Sequence, residues 1–160
     1  MNIAKIVAFF CLSLSSICFA DEVVLTLETL DGSKSIQLSE SQIREQPSNS
    51  FSTFDPWDNK QRKYKGCDLS TILAQIVPLD KINAIEVVAK NDYKAIITKT
   101  EIGKYTYLLS YEMNDKDYSE LGEENKGPLA IAVEMEKVDD YDKVKIKNQL
   151  VWWINKIIIK

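Results

Sequence analysis

Short apolar periods constrain this chain most. Beyond its first twenty residues it nowhere sustains a helical repeat for more than about three turns, whereas β-branched runs that alternate between apolar and polar recur to the end. Val23 to Leu30 alternates, Asp31-Gly32 is a turn signal, and Lys34 to Leu38 alternates again through Ile36 and Leu38, which predicts a hairpin. Ser39 or Ser41 caps a short helix through Ile43 and Arg44 that Pro47 ends. Ser48 to Lys63 reads as a polar, aromatic loop. Asp68 to Val77 reads as a helix on the spacing of Leu69, Ile72, Leu73 and Ile76, with Pro78 as its stop. Ile82 to Ala89 and Lys94 to Thr98 are predicted strands around Asn91-Asp92-Tyr93, followed by a short helix, Lys99 to Lys104, and the segment Tyr105 to Tyr111. A charged loop, Met113 to Asn125, precedes Gly127-Pro128 and a strand from Leu129 to Met135. The acidic residues Asp139, Asp140 and Asp142 fall in a further loop, and Gln149 to Ile159 reads as a terminal strand. Strands outnumber helices and no linker or repeat divides the chain, so the expected fold is α+β, one domain with a mixed or antiparallel sheet and short helices.

Residues 1–20 have the layout of a secretory signal peptide: Lys5, an apolar stretch from Ile6 to about Ile17, and the small Ala20 ahead of Asp21 and Glu22. Ser13, Ser15 and Ser16 interrupt the run that a membrane anchor would need. The expectation is export to the periplasm and a mature domain spanning 21–160. Cys11 and Cys18 would leave with the leader, so Cys67 would be the single thiol of the mature chain and no internal disulfide would form. Such a thiol is either buried and inert or reactive, and its place before the helix favours burial.

The sequence contains no histidine, which excludes histidine-based triads, Cys-His dyads, histidine zinc sites and a histidine proton shuttle. Twenty basic against 24 acidic residues leave a formal charge of −4, so nucleic acid is not an expected partner. There is no phosphate-cradling glycine loop and no Gly-x-Ser-x-Gly. The acidic cluster at Asp139 lacks the spacing of a calcium loop and reads as a solvated loop.

Two segments carry groups suited to a ligand. The stretch Phe51 to Arg62 concentrates two Phe, Trp57 and one of the two arginines. A ring and a guanidinium together grip a flat polar or anionic molecule; equally, Phe51 and Phe54 would pin such a loop to a core. Asn91, Asp92 and Tyr93 place three hydrogen-bonding side chains at a tight connection, as ligand groups or simply as a turn. Trp152 and Trp153, inside an expected strand, would point to opposite faces, one into the core and one partly exposed as a pocket wall or partner surface.

The ordered motifs, the Trp57 loop, Tyr64-x-Gly66-x-x-Leu69-x-x-Ile72-Leu73, Ala89-x-Asn91-Asp92-Tyr93, Gly127-Pro128-Leu129 and Val151-Trp152-x-Ile154-x-x-Ile157-x-Ile159, resemble the sulfite-oxidase-type oxidoreductase molybdopterin-binding domain superfamily, in its small exported members. The resemblance covers about Val23 to Ile159. It implies a mixed α+β fold framing a pterin pocket, with Trp57, Arg62 and the Asn91-Asp92-Tyr93 turn near it. It also implies a role like that of exported pterin-binding regulators of membrane-bound cyclic-di-GMP synthases or hydrolases. Departures matter here. Molybdenum enzymes of this superfamily bind the metal through a cysteine thiolate and commonly hold the cofactor phosphate with histidines and arginines. Here Cys67 stands at a usually apolar position, and only Arg44 and Arg62 are present. Ala130 replaces a larger aromatic and Trp153 a Gln. The leading expectation is therefore a non-catalytic periplasmic protein that binds a pterin, without molybdenum, through Trp57, Arg62, Asn91, Asp92, Tyr93 and Trp153. The alternatives are a molybdopterin-dependent oxidoreductase using Cys67 as metal ligand and a ligand-free protein-interaction module.

Overall fold

The computed structural model describes residues 21–160; the expected signal peptide, with Cys11 and Cys18, lies outside the described residues. In chain order the elements are β1 (Val23–Thr29), β2 (Ser35–Ser39), α1 (Glu40–Arg44), β3 (Ser48–Asp55), β4 (Lys60–Asp68), α2 (Leu69–Leu73), β5 (Ala84–Ala89), β6 (Lys94–Thr98), α3 (Lys99–Lys104), β7 (Tyr107–Met113), β8 (Lys116–Asp117), β9 (Ala130–Val133), α4 (Lys143–Lys147) and β10 (Ile154–Ile159). The α+β class expected from the short alternating runs is what forms.

The strands make two sheets. One has the order β2-β1-β10-β5-β6, in which β1 and β10 run parallel and the other pairs antiparallel. A parallel pair has to be joined by a long crossover, and here nearly the whole chain is that crossover. The second sheet joins β3, β4 and β7, with β8 and β9 also pairing β7. Period-two alternation sends Leu25 and Leu27 of β1, Ile85 and Val87 of β5, and Ile157 and Ile159 of β10 into one buried cluster, which they share with Cys67, Leu109 and Ile131 of the second sheet. The far face of that sheet buries Tyr64, Leu108, Met113, Tyr118, Ala130 and Ala132. Covered on both faces, β7 is buried at nearly every position, which is why Tyr107 to Met113 shows no alternation.

Local chemistry sets the element ends. Ser39 accepts the Gln42 amide while the Gln42 side chain accepts the Ser39 amide, and Thr98 with Glu101 repeats the arrangement at α3. At Gly66 the β4 backbone lies so close to β7 that a Cβ would collide with the Leu109 carbonyl.

Four expectations are corrected. Ser48 to Lys63 is a hairpin, not a loop. Its buried positions carry Thr53, Asp55 and Arg62, polar groups with partners far along the chain in Glu136, Lys126 and Glu124, so no hydrophobic alternation marks it. The helix expected from Asp68 is shorter, since β4 runs through Cys67 to Asp68 and α2 ends at Leu73. The charged stretch after Met113 holds β8 and two 3-10 turns rather than one loop. The terminal strand starts only at Ile154; Trp152 and Trp153 precede it, and α4 stands before them.

Candidate functional site

Three stretches far apart in sequence converge on one open cleft of about 210 Å³, lined by Trp57, Asn91, Tyr93, Leu150, Trp152 and Trp153. All three tryptophans of the chain meet there.

Trp57 sits in the turn between β3 and β4. The Asp55 carboxylate accepts the Trp57 amide at 2.9 Å, and Asn59 closes the turn with a φ of 56°. Asn91, Asp92 and Tyr93 form the turn between β5 and β6. Asp92 takes the left-handed conformation at φ 65°, which Asp tolerates better than most residues, and Asn91 Oδ1 accepts the Tyr93 amide at 3.2 Å. Tyr93 then reaches across to the segment after α4, its hydroxyl donating to the Asn148 carbonyl at 2.7 Å.

Trp153 has a φ of 55°, a rare conformation for a bulky residue that costs on the order of 1–3 kcal/mol and needs the surroundings to hold it. They do so from three sides. Its amide donates to the Lys126 carbonyl at 2.9 Å, its carbonyl accepts the Lys90 amide at 2.8 Å, and its indole N–H donates to the Asn125 carbonyl at 3.0 Å. The left-handed turn replaces the strict alternation expected of a strand, so neighbouring indoles share the cleft instead of facing opposite ways. Trp152 and Trp153 stack edge to face at 6.2 Å, and Trp57 meets Trp152 in the same manner at 6.2 Å.

Beneath Trp152 lies a buried polar group. Lys126 donates to the Asp55 carboxylate and, at 3.3 Å, to the Tyr64 hydroxyl, while its ammonium is 4.3 Å from the Trp152 ring centroid. Tyr64 donates its own hydroxyl to Asp55 at 2.8 Å. Burial raises the Asp55 carboxyl, but the bonds from Lys126, the Trp57 amide and Tyr64 outweigh it and leave the group below its ordinary value. Burial first, and then the Asp55 charge, push the Tyr64 hydroxyl far up.

The structure brings Trp57, Asn91, Tyr93 and Trp153 together and leaves two expected ligand groups out of the lining. Asp92 spends its backbone on the turn and is exposed beside the cleft. Arg62 is only 5% exposed, and its guanidinium is committed to Asp58 at 2.5 Å and Glu124 at 2.8 Å. Arg62, with Lys60 beside it, holds the Glu124 carboxyl down at about 2. Leu150 and Trp152 were not expected in the site. Lys126 and Asp55, which support it, carry no sequence signal, since a buried ion pair across 71 positions has no local period.

Cys67 is fully buried between the sheets, its Sγ 4.0 Å from the Leu109 carbonyl, and burial pushes the thiol up to about 12. Arg44, the other arginine, pairs with Glu40, Glu112 and Asp117. An enclosed, protonated thiol and two committed guanidiniums do not fit a thiolate-bound metal on an anionic molybdopterin. No group of three Cys, Asp or Glu side chains is placed to hold a metal ion among the described residues. Asp139 and Asp142 pair with Lys104, and Asp140 with Lys143.

No family model matches this sequence, and no curated protein matches it. Among solved structures the chain is similar to the sulfane dehydrogenase SoxCD from Paracoccus pantotrophus, with a TM-score of 0.60 and 13% identity over 84% of this chain. It spans 37% of that chain. At such low identity the likeness is one of fold alone, a distant fold relationship.

Proposed function

We propose that this chain is a non-catalytic binding protein for a flat heteroaromatic ligand of the pterin class. The observation that carries the reading is the convergence of Trp57, Asn91, Tyr93 and Trp153, from separate hairpins and from the segment before β10, on a single cleft. Indole faces and edges suit a flat ring by stacking and edge contacts. The Asn91 amide supplies both a donor and an acceptor, which complements the carbonyl and ring N–H of an amino-pyrimidinone edge. At about 210 Å³ the cleft is below the roughly 300–1,000 Å³ of drug-sized sites and suits a two-ring core with its substituents outside.

The enclosed Cys67 thiol and the absence of histidine argue for binding without turnover. A signal-peptide-like leader supports a periplasmic setting, and the motif resemblance supports a further step in which the liganded domain alters the output of a membrane-bound cyclic-di-GMP synthase or hydrolase. The test is titration of pterin into the purified protein with tryptophan fluorescence as readout. Saturable quenching that Trp57→Ala weakens at least tenfold, with the ligand recovered unchanged, is the expected result. No quenching with any pterin would favour a plain interaction module.

A further inference from the structure

Lys147 differs from its neighbours on α4. Lys143 is paired with Asp140 at 2.7 Å and Lys145 with Glu101 at 2.5 Å, whereas Lys147 makes no ion pair among the described residues. Its ammonium lies instead 4.5 Å from the ring centroid of Trp57. A ring face attracts a cation without neutralising it, so this contact holds a full positive charge at the edge of the cleft, with ammonium donors left over.

The same side chain lines a second hollow of about 380 Å³, walled by Phe54, Pro56, Met135 and Val144. Trp57 and Lys147 thus form the partition between a small aromatic cleft and a larger apolar hollow. The other charges facing that hollow are Lys143 and Glu136. Glu136 is occupied, accepting the Thr53 hydroxyl at 2.7 Å and the Phe54 amide at 2.8 Å. Being negative there, it disfavours an anion on the Phe54 side of the hollow.

We infer that the natural ligand of the cleft is a flat ring bearing an anionic substituent, a carboxylate or a phosphate ester, that leaves the cleft past Trp57 and is met by Lys147. The inference rests on the reading of the cleft as a ring-binding site and adds the ligand's charge and its direction of exit.

Three probes test it on the purified protein by fluorescence titration at low ionic strength: pterin, pterin-6-carboxylate and 6-hydroxymethylpterin monophosphate. An exposed charge pair contributes up to about 1 kcal/mol, so an anionic probe is expected to bind about threefold to fivefold more tightly than pterin. The larger gain of the two anions identifies the substituent. Lys147→Met should erase the preference and Lys147→Arg should keep it. Added salt should shrink it. Equal affinities for all three probes would overturn this inference and leave ring binding standing, as would a preference that survives in Lys147→Met. Failure of every probe to bind the unmodified protein would overturn both.

Discussion

The Lys126 ammonium is held between the Asp55 carboxylate and the face of Trp152, 4.3 Å from the ring centroid. The middle tryptophan of the cleft therefore rests on a buried ion pair as well as on the apolar cluster around Tyr64 and Leu108. Asp55 also accepts the Trp57 amide, so one carboxylate positions two of the three indoles.

Removing the cation alone should be costly. Lys126→Met leaves the Asp55 charge buried without its strongest partner and is expected to destabilise the fold by about 3–5 kcal/mol in urea denaturation. The double variant with Asp55→Leu should recover much of that loss. A single-variant loss below about 1 kcal/mol would show that water or a rearranged partner meets Asp55.

The indoles should separate by burial. Trp57 is 45% exposed, so Trp57→Ala is expected to change thermal stability by less than about 1 kcal/mol while weakening ring binding. Trp152 packs against the Tyr64 and Leu108 cluster, and Trp152→Ala should cost about 2–3 kcal/mol. Melting curves of the two variants, recorded with and without pterin, distinguish a binding side chain from a packing one.

Stability should be flat from about pH 5 to 8 and fall in acid, because the sequence has no histidine to titrate between. Hydrogen bonds and charge from Arg62 and Lys60 lower the Glu124 carboxyl from its ordinary 4.5 to about 2, and Asp55 is lowered as well. A carboxyl depressed by folding contributes stability above its unfolded value and loses it as pH drops through the folded one. The urea midpoint should therefore decline between about pH 4.5 and 2, and Glu124→Gln should flatten part of that decline. A midpoint that is constant down to pH 2 would contradict the assignment.

Cys67 should be silent in the native protein. With no exposure and its thiol pushed up to about 12, it should react with an aromatic disulfide reagent only after urea unfolding. Fast stoichiometric labelling under native conditions would mean that the two sheets open at Cys67.

Legibility followed burial. The hairpin of β1 and β2 and the strands β5 and β6 were readable because their buried positions are mostly apolar and turn residues join them, whereas α3, whose buried residue is Glu101, was readable from its ends. Thr98 with Glu101 and Asp31-Gly32 are local signals, complete within a few residues. The hairpin of β3 and β4 was hidden because Thr53, Asp55 and Arg62 fill its inner face. Their partners Glu136, Lys126 and Glu124 lie 62 to 83 positions away. In the site, Trp57, Asn91 and Tyr93 stood out as aromatic and amide groups in a loop and a turn, and Trp153 as the exposed indole of an expected strand. Trp152 was placed in a strand, and nothing local announces that Trp153 takes a left-handed φ.

The sequence by itself determined the α+β class, the single domain, the exclusion of histidine chemistry and most cleft-lining residues, since these follow from composition, short-range periodicity and turn chemistry. Only the tertiary structure decided that Arg62 is neutralised by Asp58 and Glu124, that the burial favoured for Cys67 is complete, and that Lys147 lies against Trp57 with no ion pair among the described residues. The physical reason is that a charged side chain's role is set by which opposite charges and ring faces the fold brings within a few ångströms, and here those partners come from other elements.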